Sequence, residues 1–476
     1  MHPPGLRLLA RATAQLASAQ AIGIVARLAY VALAARLLGP DLYALLAWSQ
    51  TWYLAFLPLA LFGLGPALVY RLATDPARAG ELAASGLAIR LATTAVATAA
   101  CMLLALPAAP DARVPLLVAV LLVALAGRAI SAWAQHLYIA ADLNRETLVQ
   151  ETTCRTLEVV VALAVLLAGG GIVALVTVHA AAWGLQALWS LRIVTARLGP
   201  TRPAWSPGAG RALLAASVPF GALQALAEWR LHGPLLLYAA VEAQAGRVGQ
   251  FALAMQAMLI LALFPQALAT AAQPLLTRSA ARGDGQDLRF ASLLQRLAVT
   301  LGSAAGLCGL ALGAPLFTAV FGADYAESGR LAGLTLWCFV PLAAGYAYPM
   351  LFVARGELAG QVVQSGAATA ALVLLLPGLA DAYGAAGAIL AAGIAYAIPP
   401  LAATAAAASR GWTTIGAALL RPALAALAGL GTWLALAATG PALALLAALA
   451  TLAGATALLG VLGRADLALL RSITGR

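Results

Sequence analysis

The sequence predicts an all-α integral membrane protein of about fourteen transmembrane helices, and its composition and charge distribution carry this prediction. Of the 476 residues, 63% are hydrophobic and only 9% are charged, and the mean hydropathy is +0.93. A soluble domain carries about 25% charged residues, so this chain has too few charges to cover a surface in water. The composition therefore excludes a soluble enzyme, a nucleic-acid-binding protein and a disordered chain.

The helices are predicted from apolar windows bounded by Pro, Gly and charged residues, because a spanning helix needs about 20 apolar residues. In chain order they cover residues 14–36, 43–68, 84–106, 114–140, 148–168, 171–191, 212–240, 247–275, 290–318, 328–354, 358–378, 384–408, 417–438 and 441–462. The longest polar link, residues 192–211, holds four arginines and three prolines. It predicts an N-terminal lobe (1–200), a C-terminal lobe (201–410) and a final helix pair with a tail (411–476).

The arginine distribution orients these helices, since all 28 basic residues are arginine. With the N-terminus on the cytoplasmic side, seventeen arginines fall in inner loops and tails and four fall at the outer side. This is the bias expected for a membrane protein, and it places both termini in the cytoplasm. The four cysteines stand singly in apolar stretches without metal-ligand spacing, so no metal and no cofactor are predicted.

Charged residues inside the predicted helices are the candidates for function. A charge near the bilayer centre costs about 3 kcal/mol, so such groups face a bundle interior or a watery cavity. The arginines in question are Arg27, Arg90, Arg128, Arg155, Arg230, Arg296 and Arg421, and the carboxylates are Glu151, Glu158 and Glu228. The surplus of arginines favours an anionic ligand, because the planar guanidinium binds phosphate through two parallel hydrogen bonds.

Four of these arginines belong to the first lobe, and we predict that they line a cationic cavity. Arg27 and Arg128 lie near the middle of predicted helices 1 and 4, and Arg90 lies two turns into helix 3. Arg155 shares one face of helix 5 with Glu151 and Glu158, at i, i+4 and i+7 spacing. The alternative is a set of buried structural ion pairs, with a local ladder on helix 5.

Predicted helix 7 carries the stretch EWRLHGP and two prolines, which predict a bend where freed carbonyls find water or neighbouring groups. A bend there suits a moving gate, and a histidine or carboxylate suits a coupling proton. The candidates for coupling or gating are Glu158, Glu228, Arg230, His232, Pro219 and Pro234. The alternatives are an ordinary packing kink and a satisfied pair between Glu228 and Arg230.

Four stretches together resemble the polysaccharide-transport branch of the MOP flippase superfamily. They are AARLLGPDLYALLAWSQTWYLAFLPLALFGLGPALVYRLA (34–73), SVPFGA (217–222), GRVGQFALAMQAMLILALFPQALATAAQPLLTRSAARGD (246–284) and FGADYAESGRLAGLTLWCFVPLAAGYAYPMLFVARGE (321–357). The resemblance implies two six-helix lobes around a central cavity, followed by a C-terminal helix pair. One departure concerns helix 7, where many relatives have an acidic residue and this chain has His232-Gly233-Pro234, with Glu228 one turn earlier.

The resemblance also implies a function, namely export of undecaprenyl-diphosphate-linked sugars to the outer leaflet by alternating access. We therefore expect a flippase of the bacterial inner membrane that serves cell-surface polysaccharide synthesis and is not an enzyme. The expected partners are the lipid-linked oligosaccharide, membrane lipids and the polysaccharide polymerase machinery, with no nucleic acid.

Two other functions are the alternatives to this expectation. A multidrug or organic-cation exporter of the same superfamily would need cavity carboxylates, and here arginines outnumber them. A membrane glycosyltransferase or polymerase would need a sizeable outer loop, and the predicted outer loops are short.

Overall fold

Helices make up most of the part of the chain that the structure describes. The structure is a computed structural model that describes the backbone of residues 3–283, 285–463 and 466. It describes the side chains of those residues except 3–27, 76, 144 and 267–275. No strand occurs within these described residues, and the all-α fold class is confirmed.

The chain divides into two compact units, residues 1–236 and 237–476. The helices of the first unit are α1 (Pro3–Leu61), α2 (Leu64–Thr74), α3 (Ala79–Ala105), α4 (Val114–Ala140), α5 (Asn144–Leu167), α6 (Ile172–Leu198) and most of α7 (Pro207–Val241). The helices of the second unit are α8 (Ala245–Arg282), α9 (Gln286–Phe321), α10 (Ala326–Ala344), α11 (Ala347–Ala354), α12 (Leu358–Ser409), α13 (Arg421–Leu436) and α14 (Pro441–Leu458). The unit boundary falls near the end of α7, whereas the polar link at 192–211 predicts a boundary before it. The division into lobes of 1–200, 201–410 and 411–476 stays a prediction.

Single glycines interrupt the two longest helices. Gly39 in α1 has a φ of 73°, and Gly384 in α12 has a φ of 60°, values that glycine adopts without the steric cost of a Cβ. Gly39 lies between the predicted helices 14–36 and 43–68, and Gly384 is the first residue of the predicted helix 384–408. Each of the two long helices therefore covers two helices predicted from the sequence. As one straight helix, the 52 residues of α12 would measure about 78 Å at 1.5 Å per residue, which is more than twice the hydrocarbon core of a bilayer.

The helices are long and apolar enough for a multi-pass membrane protein. Eleven spans within the described residues meet this criterion, including Leu28–Thr74 with 47 residues and Leu358–Ser409 with 52. Helix α5 is not among them, because every stretch of 18 residues within it contains the three charged residues Glu151, Arg155 and Glu158. The two glycine-interrupted spans each contain two predicted helices, and the total of fourteen crossings stays a prediction.

A second backbone break separates α1 from α2 and packs tightly on α7. Phe62 and Gly63 have φ values of 50° and 62°. A Cβ on Gly63 would stand 2.3 Å from the Gly221 nitrogen, and a Cβ on Gly221 would stand 2.9 Å from the Phe62 carbonyl carbon. Gly221 follows Pro219 by two residues, so the small residues let the two backbones meet at the break.

We expect Gly221→Ala to destabilise the first unit by about 1–3 kcal/mol, since the added methyl overpacks a backbone contact that has no side chain to move aside. Thermal unfolding of the purified protein measures the change. Gly184→Ala on α6 is the matched control, because a Cβ there meets nothing within 4 Å. Equal unfolding temperatures for the two variants would contradict the close approach.

The two units repeat a set of polar positions. An acid in the first turn of α3 and of α9 precedes an arginine by nine residues, giving Glu81/Arg90 and Asp287/Arg296. An acid and a glutamine four residues apart begin α5 and α12, giving Glu146/Gln150 and Glu357/Gln361. Both acids pair with an arginine near the end of the following helical segment, Glu146 with Arg197 at 3.8 Å and Glu357 with Arg410 at 2.8 Å. This repeated set aligns α5–α6 with α12.

Candidate functional site

Arg155 on α5 is the centre of a polar network in the first unit. Its Nη1 forms an ion pair with Glu158, and its Nη2 donates a hydrogen bond to Oε1 of Gln186 at 2.9 Å. The guanidinium carbon lies 3.9 Å from the centroid of the Trp183 ring. Glu151 approaches from the other side, with Oε2 3.9 Å from Nε. The arginine is therefore held by two carboxylates, an amide and an aromatic face.

The network continues from Glu158 to Arg128 on α4. Nδ1 of His179 lies 2.5 Å from Glu158 Oε1, and Nε2 of His179 lies 3.1 Å from the hydroxyl of Tyr53. Arg128 Nη1 donates to the same hydroxyl at 3.3 Å. The Arg128 guanidinium carbon also lies 5.2 Å from the centroid of the Trp183 ring. Trp183 is thus in cation–π contact with two arginines.

Two glutamines fix the Glu151 end of the network. Gln135 Nε2 donates to Glu151 Oε1 at 2.8 Å, and Gln186 Nε2 donates to the same oxygen at 2.9 Å. Because Gln186 also accepts from Arg155 through its amide oxygen, both ends of its side chain are engaged. The nine side chains Tyr53, Arg128, Gln135, Glu151, Arg155, Glu158, His179, Trp183 and Gln186 are called the polar network below.

Local packing brings α4 and α6 close enough for this arrangement. A Cβ on Gly127 would lie 2.6 Å from the Trp183 carbonyl oxygen, so only glycine allows the two helices this approach. Gly127 immediately precedes Arg128. On α6 the spacing of His179, Trp183 and Gln186 is i, i+4, i+7, which places all three on one helix face.

The charged members of the network keep part of their surface accessible. The exposed fraction of the side chain is 23% for Arg155 and 15% for Glu158, and 34% for Glu151. Buried ionised groups without water or partners are costly. These groups have both partners and access, which is the environment of a binding site rather than of a sealed core.

Helix α7 brings further charges next to the network. Oε2 of Glu228 lies 3.4 Å from Nε2 of His232, and Glu228 is close enough to Arg128 for a charge–charge interaction. The helix runs unbroken from Pro207 to Val241 through Pro219 and Pro234. The roles of Glu228, Arg230, His232 and both prolines in coupling or gating stay predictions.

Of the four predicted cavity arginines, two lie in the network and a third, Arg90, does not. Arg128 and Arg155 are brought together around Trp183. The side chain of Arg27 lies outside the described residues. Arg90 is 1% exposed, and its Nη1 donates at 2.8 Å to the Ala60 carbonyl, which lies just before the end of α1. In this conformation Arg90 binds backbone at a helix end, where carbonyls lack helical partners, and does not line the network.

The charge balance of the network differs from the expected cationic surplus. The network contains Arg128 and Arg155 against Glu151 and Glu158, so its arginines are matched by carboxylates. The reason is that two of the three carboxylates predicted to lie inside the membrane, Glu151 and Glu158, stand next to Arg155. Any anion that binds Arg155 must compete with an internal carboxylate.

The second unit lacks this network at the equivalent positions. The matched pairs Glu146/Glu357 and Arg197/Arg410 align the two units. In this alignment Val362, Gly366 and Thr369 take the places of Glu151, Arg155 and Glu158, and Ala392 and Pro399 take those of His179 and Gln186. The same helical framework therefore forms without these charges. Their presence in the first unit alone favours a role in function over a role in folding.

Five members of the polar network were not predicted from the sequence as site residues, namely Tyr53, Gln135, His179, Trp183 and Gln186. Their partners stand on other helices, as with Tyr53 and Arg128, which are 75 positions apart. The polar face of α6 is a signal that could have identified three of them. Within the described residues no group of three or more His, Cys, Asp or Glu side chains is placed to hold a metal ion.

Comparison with known proteins identifies the family. A sequence model of the family described as polysaccharide biosynthesis protein matches residues 9–280. This is more than half of the chain and contains the entire polar network. The chain belongs to this family. No curated protein sequence matches it.

Solved structures show that the fold is that of MOP superfamily transporters. The lipid II flippase MurJ in an inward closed conformation aligns with a TM-score of 0.70 and 12% identity, over 93% of this chain and 98% of that chain. An inward-facing multidrug resistance MATE transporter aligns with a TM-score of 0.66 and 15% identity, over 84% and 98%. A MOP superfamily transporter from Pyrococcus furiosus, noted for the reverse polarity of its binding pocket, aligns with a TM-score of 0.61 and 14% identity, over 84% and 95%. At these identities the likeness shows the fold alone, and the predicted polysaccharide family is confirmed by the family match over residues 9–280.

Proposed function

We propose that this protein is a flippase for a polyprenyl-diphosphate-linked oligosaccharide. It moves this lipid from the inner to the outer leaflet of the bacterial cytoplasmic membrane by alternating access, with both termini in the cytoplasm. The product serves cell-surface polysaccharide synthesis. Undecaprenyl diphosphate is the expected carrier, and the polymerase that consumes the product is the expected partner in the membrane.

The observation that carries this proposal is the pair of arginines around Trp183. Guanidinium groups of Arg128 and Arg155 lie 5.2 Å and 3.9 Å from the same ring, in a chain with only 9% charged residues. Two guanidiniums at one partly accessible site match the several oxygens of a diphosphate. The family description and the lipid II flippase among the structural neighbours support the same substrate class.

The chemistry required of these residues is binding rather than bond making. Arg128 and Arg155 hold the diphosphate, the sugars cross in the aqueous path between helices, and the polyprenyl tail stays in lipid. Moving a charged headgroup through hydrocarbon is the main barrier to flipping, and the two cations lower it. We infer that the protein is a transporter and not an enzyme, in keeping with its family and its structural neighbours.

The proposal is tested by deleting the gene in the bacterium that encodes it. We expect loss of the surface polysaccharide and accumulation of the lipid-linked precursor on the cytoplasmic face, where a membrane-impermeant sugar-modifying reagent added from outside does not reach it. Restoring the wild-type gene should return the precursor to the outer leaflet. Precursor that remains accessible from outside in the deletion strain would refute the proposal.

Export of organic cations is the second candidate, because Glu151, Glu158 and Glu228 offer negative charge beside the network and a multidrug transporter is among the structural neighbours. In the structure, Glu151 and Glu158 are engaged by Arg155 and by Gln135 or His179, so a cation would have to displace an arginine. We expect overexpression to leave sensitivity to cationic drugs unchanged. A rise of fourfold or more in the inhibitory concentration of several such drugs would favour export of cations instead.

A further inference from the structure

Two carboxylates, Glu151 and Glu158, lie next to Arg155, and their other contacts indicate which of them a substrate can displace. Glu158 pairs with Arg155 through one carboxylate oxygen and contacts His179 Nδ1 through the other, at 2.5 Å. Glu151 is anchored by two glutamine amides and stands 3.9 Å from Arg155. Glu158 therefore has a second partner to which it stays bound when it releases Arg155.

We propose that Glu158 takes the place of the substrate at Arg155: its carboxylate binds Arg155 when no substrate is present, and the diphosphate displaces it. On this displacement the Glu158–His179 pair takes up one proton from the aqueous phase. This inference rests on the proposed function, since it names the step by which that substrate reaches Arg155. No covalent bond forms or breaks. One ion pair is exchanged for another, and the proton ends on the carboxyl or on the imidazole.

The proton uptake follows from charge balance at a desolvated site. The network holds two arginines and two carboxylates, so its charges already balance before a diphosphate enters. An uncompensated charge in low dielectric is strongly unfavourable, and the displaced carboxylate loses its ion pair with Arg155. Both effects favour protonation of the Glu158–His179 pair, so binding must tighten as the pH falls.

The surroundings of Glu158 are consistent with a single exchangeable proton. The titratable or charged groups that face it are Arg155, Glu151 and Cys154 on α5, His179 on α6, and Tyr30 on α1, with Tyr53 on α1 and Arg128 on α4 reached through His179. Within this set the carboxylates are Glu151 and Glu158, and the two glutamine amides hold Glu151 in place. In the second unit, Gly366 and Thr369 replace Arg155 and Glu158 together, as expected if the two side chains act as a pair.

Isothermal titration of purified full-length protein with inorganic diphosphate tests the exchange. Runs at pH 6.0 and 7.5, in two non-phosphate buffers of different ionisation enthalpy, give both the affinity and the number of protons taken up. For the wild type we expect at least fivefold tighter binding at the lower pH. Glu158→Gln should bind at least tenfold tighter at pH 7.5 and take up about one proton fewer per diphosphate. Protonation of the diphosphate itself is common to both proteins and cancels in this difference.

Two further variants separate the exchange from the site itself. Arg155→Ala should lose binding, while Glu146→Gln, the same substitution earlier on α5, should behave as wild type. If Arg155→Ala binds normally, the substrate site of the proposed function is wrong. If Arg155→Ala loses binding but Glu158→Gln binds no tighter than wild type, only the exchange is wrong.

A shorter carboxylate provides the test if Glu158→Gln does not fold. Glu158→Asp cannot span the distance between Arg155 and His179, so it should bind diphosphate about threefold tighter than wild type at pH 7.5. Affinity equal to or weaker than wild type would overturn the exchange.

Discussion

Replacing Arg155 with alanine should reduce lipid flipping about 100-fold at an unchanged protein level. Arg155 is the most highly connected cation of the polar network, and a charge-assisted hydrogen bond to a buried charged group contributes about 1.5–3 kcal/mol, which corresponds to about 10- to 150-fold. Arg155→Lys keeps the charge but loses the planar pair of donors, and we expect a loss of about tenfold. The measurement is flipping of a fluorescent polyprenyl-diphosphate lipid in reconstituted vesicles, with complementation of the deletion strain beside it.

Two controls distinguish this loss from unfolding. Arg197→Ala, near the end of α6, removes an arginine that is 62% exposed and pairs with Glu146 at 3.8 Å, so flipping should stay within twofold of wild type. The double variant Arg155→Ala/Glu158→Ala removes the carboxylate that the single change leaves without its guanidinium. It should recover stability without recovering flipping. Recovery of flipping in the double variant would show that Arg155 serves only to neutralise Glu158.

The arrangement of helices could be read from the sequence because it depends on local patterns. Apolar windows located the helices, and Gly39 and Gly384 turn the chain at the edges of predicted ones. Helix ends were less predictable. Helices α8 and α9 extend to Arg282 and back to Gln286, beyond the apolar windows at 247–275 and 290–318, because backbone hydrogen bonding continues through polar residues.

The site was predictable only in part. The sequence shows how deep in a predicted helix an arginine lies, but it does not show which groups on other helices the arginine contacts. Arg128 and Arg155 were selected by their predicted depth, and both lie in the network. Arg90 satisfies the same criterion, yet its partner is the Ala60 carbonyl, which leaves no trace in the pattern of side chains. The balance between arginines and carboxylates at the site could not be predicted either. The sequence gives only the number of charges in a lobe, whereas the balance depends on which charges on different helices lie next to each other.

The largest effect on stability is expected at the buried acid of the second unit, Asp287. Its side chain is 1% exposed and pairs with Arg355, whose Nη2 and Nε donate to Asp287 Oδ2 at 2.7 Å and 3.1 Å. Arg355 in turn lies over the Trp412 ring, 4.1 Å from its centroid. The pair ties the turn between α8 and α9 to the turn between α11 and α12. Removing one member of a buried ion pair costs about 3–5 kcal/mol, because the other charge is left without compensation.

Asp287→Asn should therefore lower the free energy of unfolding of the second unit by at least about 3 kcal/mol, while keeping the volume of the side chain. Thermal unfolding followed by hydrogen exchange at the two turns measures the effect and locates it. Glu327→Gln is the matched control, because Glu327 and Arg330 form an exposed pair, 50% and 71% accessible, of the kind that contributes less than about 1 kcal/mol. If the ion pair is the cause, Asp287→Asn combined with Arg355→Met should be less destabilised than the sum of the two single variants. Additive losses would mean that the Asp287 carboxylate stabilises the turn through Ser279, whose hydroxyl donates to Asp287 Oδ1 at 3.5 Å, and not through Arg355.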